Sequence, residues 1–187
     1  MHKYLPNVFI FLDRYDSEIF KNKNKNIGIV YRNYKDRNRE KNLIKIAKEC
    51  KKKKYLLFVS NSIKLLYKVK ADGIYIPSFN KSQRYANLEN KRILILGSAH
   101  SQKEIHTKIT QRCKLIFLSP LFYVRKSKKY LDIHKFNNIS ILNKKNILAL
   151  GGISENNIQK LKLLQIKGFG GIRMFKKKTG LLRGRFL

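Results

Sequence analysis

The chain has 187 residues, enough for one domain, and its 43% hydrophobic content supplies a sizeable core. Its formal charge of +32, from 43 Lys and Arg against 11 Asp and Glu, would alone suggest a polyanionic partner, yet Lys, Asn and Ile are abundant everywhere and the basic residues are spread along the chain, as AT-rich coding would produce. Cys50 and Cys113 lie far apart with no CxxC or metal-ligand spacing, which excludes a disulfide framework and fits two packed thiols in a reducing cytoplasm; no apolar run approaches the ~18 residues of a membrane helix, and His2 to Asn7 lacks a signal-type apolar core.

Val8–Leu12 (VFIFL) reads as a buried strand ending at Asp13–Arg14, followed by a turn or two over Tyr15–Phe20 and a polar loop. Ile27–Tyr31 is a second strand, with Arg32 and Lys35 beyond its C-terminal end. Asp36–Lys53 is an amphipathic helix with an apolar stripe of Leu43, Ile46, Ala47 and Cys50. Tyr55–Val59 is a third strand with Asn61 after it, and a short helix through Leu65 and Leu66 leads to Ala71–Asp72–Gly73 and a fourth strand, Ile74–Ile76. A weak helix over Ser82–Asn90 precedes a fifth strand, Ile93–Leu96, which is closed by Gly97–Ser98–Ala99–His100. Ser101–Cys113 is helical, and Leu115–Leu118 is a sixth strand followed by Ser119–Pro120 and a basic loop, Tyr123–Tyr130. A poorly marked helix lies within Leu131–Leu142. Asn146–Leu150 is a seventh strand; then come Gly151 and Gly152, a helix N-capped by Ser154 with Glu155 in its first turn, and Gly168 as its stop. Gly168, Gly170 and Gly171 lead into an eighth strand, Ile172–Phe175, leaving a basic tail, 176–187, too short for a good eighth helix.

Strands alternating with helices predict a parallel α/β fold: a single domain over 1–187 with its core in 8–175, built as a slightly reduced (β/α)₈ TIM barrel with weak first and eighth helices. A doubly wound open sheet is the alternative. In such a barrel chemistry sits at the C-terminal ends of the strands, which singles out Arg32, Lys35, Asn61, Ser98, His100, Ser119, the loop carrying Lys126 and Lys128, Gly151, Gly152 and Arg173. Gly151 and Gly152 let a ligand approach the backbone, and a helix N-terminus behind them suits phosphate; a tight turn with no ligand is the plainer reading. His100 is the one histidine at a strand end, where an imidazole can move protons near neutral pH, or can serve only to hold a loop. Arg32 and Lys35 can hold an anion, or form a solvated pair. Asp13 and Asp72 are the candidate acids near strand ends, with Asp72 better suited to capping the turn into the fourth strand; no metal-ligand cluster is evident.

With these pieces in order, the chain resembles the thiamine phosphate synthase and thiazole tautomerase superfamily over roughly Val8 to Phe175. The matching segments are Arg32 and Lys35, Asn61, Ala71–Asp72–Gly73–Ile74–Tyr75–Ile76, Gly97–Ser98–Ala99–His100–Ser101, Ser119–Pro120–Leu121–Phe122, Ala149–Leu150–Gly151–Gly152–Ile153 and Gly168–Phe169–Gly170–Gly171–Ile172. The resemblance implies a barrel that binds a thiazole phosphate, its phosphate on Gly151, Gly152 and the backbone after the eighth strand, with Arg173, Lys126 and Lys128 adding charge. His100 matches the acid/base histidine of the tautomerase branch. The synthase branch uses Mg²⁺ held by two aspartates, and those positions fall here at about Ser62 and Asn80, so the resemblance implies no cofactor and no metal for this chain. The family's glutamine two residues before the arginine is Val30, and its Thr-rich loop is replaced by Tyr123–Val124–Arg125–Lys126–Ser127–Lys128. The expected partner is therefore a small phosphorylated heterocycle, with non-specific polyanion binding besides; a basic RNA-binding protein on a degenerate barrel is the alternative.

Overall fold

In the computed structural model, residues 5–21, 26–34, 37–125, 127, 129–143, 147–172 and 174–175 are described. The strands are β1 (Val8–Leu12), β2 (Ile27–Tyr31), β3 (Leu56–Ser60), β4 (Gly73–Ile76), β5 (Leu94–Ala99), β6 (Leu115–Leu118), β7 (Ile147–Leu150) and β8 (Gly168–Gly171). The α-helices are α1 (Arg39–Lys53), α2 (Ile63–Lys68), α3 (Gln102–Thr110) and α4 (Asp132–Asn143), and 3₁₀ segments cover Ser17–Lys21, Gln83–Lys91 and Ile158–Leu163. The strands close in sequence order into one parallel barrel. Val8 pairs with Ile27 on one side and Phe169 on the other, which joins β8 back to β1. The closed (β/α)₈ barrel replaces the open-sheet alternative.

Alternation along each strand sorts the core into two layers. Outward residues such as Ile10, Ile29, Val59, Ile74 and Ile116 pack under Leu43 and Ile46 of α1, Ile105 of α3 and Phe136 of α4. Inward residues form a separate aromatic plug of Phe9, Phe11, Phe58, Tyr75 and Phe117. Phe9 meets Phe117 edge-on at 5.1 Å between ring centroids, and Phe11 meets Tyr75 at 5.4 Å. Rings this large leave no room for side chains beside them. A Cβ on Gly73 would lie 2.7 Å from Phe58, and one on Gly170 would lie 2.9 Å from Phe11.

That filling explains where the structure departs from the sequence reading. The eighth strand is Gly168–Gly171, not Ile172–Phe175, because its glycines are the small partners of the plug rather than a loop. The segment after β7 is a short 3₁₀ turn, Ile158–Leu163, instead of a helix capped by Ser154. Asn157 takes over that corner: its Oδ1 accepts from Ser154 N at 2.8 Å and its Nδ2 donates to Gly152 O at 2.8 Å. Gly168 opens β8 instead of stopping a helix, and Cys113 sits beyond α3 instead of on its face. The Asp72 carboxylate accepts from Leu57 N at 2.9 Å, which ties the turn into β4 to β3. Among the described residues no helix is long and apolar enough to cross a membrane.

Candidate functional site

The C-terminal ends of the strands open into a mouth whose floor includes inward side chains. The Arg32 guanidinium lies 5.5 Å from the centroid of the Phe11 ring, with Nε 3.8 Å from an Asp13 carboxylate oxygen. Ser98, nearly buried, hydrogen-bonds the Tyr75 phenol, which burial pushes up to about 12, so it stays neutral.

On the β5–β7 side the backbone does the building. Ser101 caps α3, accepting from Glu104 N at 3.3 Å, and the Glu104 carboxylate accepts from His100 N at 2.7 Å. This reciprocal cap is a local consequence of the Ser-x-x-Glu spacing, and it fixes the backbone of His100 at the rim. His100 Nδ1 lies 2.7 Å from Ser119 O and 3.2 Å from Ser119 Oγ. A carbonyl can only accept, so Nδ1 carries the proton and Nε2 is the basic nitrogen of an exposed ring. The β6 loop, which follows a cis Ser119–Pro120 peptide, is sewn to the glycine turn: Leu121 N donates to Leu150 O at 2.9 Å and Phe122 N to Gly151 O at 3.1 Å. Gly151 (φ 94°) and Gly152 (φ 71°) both occupy left-handed backbone. A Cβ on Gly151 would lie 2.8 Å from Pro120, and one on Gly152 would lie 2.5 Å from Phe122 O. Glycine is thus demanded here by the protein's own β6 loop.

On the β2–β4 side, side chains do the building. Arg39, the first residue of α1, donates from Nη2 to Ser60 O at 2.6 Å and lies 5.7 Å from the centroid of the Tyr34 ring. Tyr34 OH is 2.6 Å from Ser60 Oγ; burial raises its pKa despite that hydrogen bond and the nearby Arg32 and Arg39. Phe79 packs edge-on against Tyr34, and both rings are exposed. Asn61, in left-handed backbone at φ 55°, accepts on Oδ1 from Asn80 Nδ2 and from Tyr85 OH. Arg84 Nη2 donates to that same Tyr85 hydroxyl at 2.7 Å. From behind, the buried Lys108 ammonium donates to Pro77 O, Asn80 O and Gln111 Oε1 at 2.8, 2.8 and 2.9 Å. Burial lowers its pKa to about 8.

The structure therefore brings His100 and Ser119 into contact and seats Gly151 and Gly152 beside them, while Arg32 and Ser98 lie on the floor and Asn61 belongs to an amide network. Lys35, Lys126, Lys128 and Arg173 lie outside the described residues. Arg39, Tyr34, Arg84 and Lys108 were not singled out in the sequence, because each is defined by partners on other elements. The positions that resemble metal aspartates are otherwise engaged. Ser62 Oγ caps α2, accepting from Leu65 N at 3.3 Å, and Asn80 bonds Asn61, Ser82 N and Tyr85. Two neutral side chains already satisfied within the protein are a poor donor set for Mg²⁺, which wants hard anionic oxygens.

Known proteins agree with this architecture. A family profile described as thiamine monophosphate synthase matches residues 18–175. A thiamine-phosphate synthase of Prochlorococcus marinus is 28% identical over 125 residues, covering 65% of this chain and 36% of that longer protein. Among solved structures, thiamine phosphate pyrophosphorylase from Pyrococcus furiosus superposes with a TM-score of 0.73 at 16% identity, covering 92% of this chain and 91% of that one. The corresponding enzyme from Bacteroides thetaiotaomicron gives a TM-score of 0.61 at 14% identity over 97% and 90%. With the family profile spanning most of the barrel, the chain belongs to the thiamine monophosphate synthase family.

Proposed function

We propose that this protein binds a small phosphorylated heterocycle, a thiazole phosphate, in the barrel mouth, and that His100 moves protons on it. The observation that carries the reading is the fixed tautomer of His100: Nδ1–H is committed to Ser119 O, so the rim presents a basic Nε2. Moving a double bond within a thiazole requires a proton to leave one ring atom and return at another. A single imidazole can take it on Nε2 and give it back, while Ser119 and the Glu104 cap hold the ring still. The phosphate would lie on the glycine side of the mouth, with Arg32, Lys35, Lys126, Lys128 and Arg173 as the cations available to it. Binding there rests on the backbone and these cations, since the 3₁₀ turn after β7 is too short to contribute a helix terminus. No divalent metal takes part, because Ser62 and Asn80 offer it no carboxylate.

His100→Asn should lower tautomerase turnover by roughly 10²–10⁴-fold while thiazole phosphate still raises the melting temperature. Parallel loss of binding and turnover would make His100 a ligand-holding residue. The names of the relatives favour a second reading, synthase-like transfer; magnesium-dependent formation of thiamine phosphate from the thiazole phosphate and a pyrimidine pyrophosphate would establish it in place of the first. The +32 charge contributes only salt-sensitive, non-specific attraction for polyanions. Membership of a small-molecule family argues against RNA binding as the main role.

A further inference from the structure

We infer that the β2–β4 side of the mouth is an anion site that works without a divalent metal, with Arg39 and Arg84 supplying the charge and a diphosphate-like group as the ligand. Both arginines reach one corner, Ser60–Asn61: Arg39 bonds the Ser60 carbonyl directly, and Arg84 arrives through the Tyr85 hydroxyl that donates to Asn61. No acid is bonded to either guanidinium among the described residues. Arg39 Nε is also buried with no hydrogen-bond partner, the one such side-chain nitrogen or oxygen among the described residues. An anionic oxygen seated at this corner supplies the acceptor that Nε lacks, and guanidinium donors suit phosphate oxygens in paired geometry.

The same corner repels a metal ion. Lys108 places a buried ammonium 2.8 Å from the carbonyl of Asn80, and Arg84 stands on the other side of that residue, bonded to the hydroxyl that Asn80 Nδ2 also reaches at 3.3 Å. Fixed positive charge at these distances opposes a dication strongly in a partly desolvated site, and it performs the neutralising role a dication would have. The exposed rings of Tyr34 and Phe79 stand next to this charge, so the favoured ligand carries its diphosphate on a flat, aromatic group.

This site is separate from the proposed thiazole phosphate site, so either can fail alone. The test is calorimetric titration of the full chain with inorganic pyrophosphate, in EDTA and again in excess Mg²⁺. The expected result is binding in EDTA that Mg²⁺ does not improve. Arg84→Gln, an exposed position that leaves the fold intact, should weaken it by roughly tenfold or more, and Arg39→Lys, which keeps the charge but not the fork, by a similar factor. Exposed Lys103→Gln, on α3, serves as the control for general charge and should change little. Binding that requires Mg²⁺, or binding in which Arg84→Gln and Arg39→Lys match Lys103→Gln, overturns the inference. Retained pyrophosphate binding alongside absent thiazole phosphate binding would leave it standing while removing the proposed function.

Discussion

The two sides of the mouth are made of different material. The β5–β7 side is held by main-chain bonds, Leu121 to Leu150 and Phe122 to Gly151, with glycines where any Cβ would strike the neighbouring loop. The β2–β4 side is held by side chains, a chain of contacts running from Arg39 through Tyr34 and Ser60 to Asn61, Asn80, Tyr85 and Arg84. Backbone construction fixes a shape and tolerates almost no substitution at the turn. Side-chain construction lets chemistry drift without loss of fold, and this is the side where neutral residues and cations stand in place of carboxylates.

The comparison breaks most visibly at Gly152. At φ 71°, with a Cβ only 2.5 Å from Phe122 O, Gly152→Ala combines left-handed strain with a backbone clash. The two effects together should cost about 3 kcal/mol in urea unfolding. Gly152→Asp carries the same strain, so its loss of ligand binding cannot be assigned to the added charge alone. An unchanged unfolding midpoint for Gly152→Ala would mean that the turn is not held by the β6 loop.

The next effect concerns Lys108, which anchors the side-chain half from behind. Lys108→Met keeps most of the packing but leaves Pro77 O, Asn80 O and Gln111 Oε1 without their donor. Set against the relief of an ammonium's desolvation, the loss should come to about 2 kcal/mol at neutral pH. The pH dependence carries its own sign. Burial lowers the folded-state pKa to about 8 from the ordinary 10.5, so between those values the unfolded chain holds a proton that the folded chain has released. Stability from this group therefore rises with pH through that window. Tyr75 and Cys113, both raised by burial, act in the opposite sense as their unfolded forms ionise, so the measurement is the parent curve minus the Lys108→Met curve. A difference that stays flat from pH 8 to 10 would show that the ammonium stays protonated in the fold.

What could be read from the sequence follows the same division. The positions of β1 to β7 were legible because apolar runs of four or five residues, separated by helical periods, are what a strand buried on both faces requires. β8 was not, because Gly168–Phe169–Gly170–Gly171 contributes space for Phe11 and Phe117 in place of side chains of its own, and space leaves no periodic signal. His100 was legible as a rim residue, and the Ser101–Glu104 cap that orients it is written locally. The arginine corner was not: Arg39 looked like the solvated start of an amphipathic helix, and only closure of β3 against β4 brings Asn61 to Asn80 and Tyr85.

Ser62 gives the smallest effect and separates the two halves most finely. Its hydroxyl caps α2 through Leu65 N, the kind of bond whose loss costs about 1 kcal/mol, so Ser62→Ala should lower the urea midpoint by that much. Aspartate caps a helix about as well as serine, so Ser62→Asp should match the parent within a few tenths of a kcal/mol. The acidic variant thus adds one carboxylate at the position that resembles a metal ligand without disturbing the fold. If fixed cations beside Asn80 are what exclude a dication, Mg²⁺ should leave the melting temperature of Ser62→Asp where it leaves that of the parent, because Lys108 and Arg84 still face any ion placed there. A magnesium-dependent rise in Ser62→Asp alone would show the opposite: that the side-chain half of the mouth is a metal site short of one carboxylate, and that the arginines are bystanders to its charge.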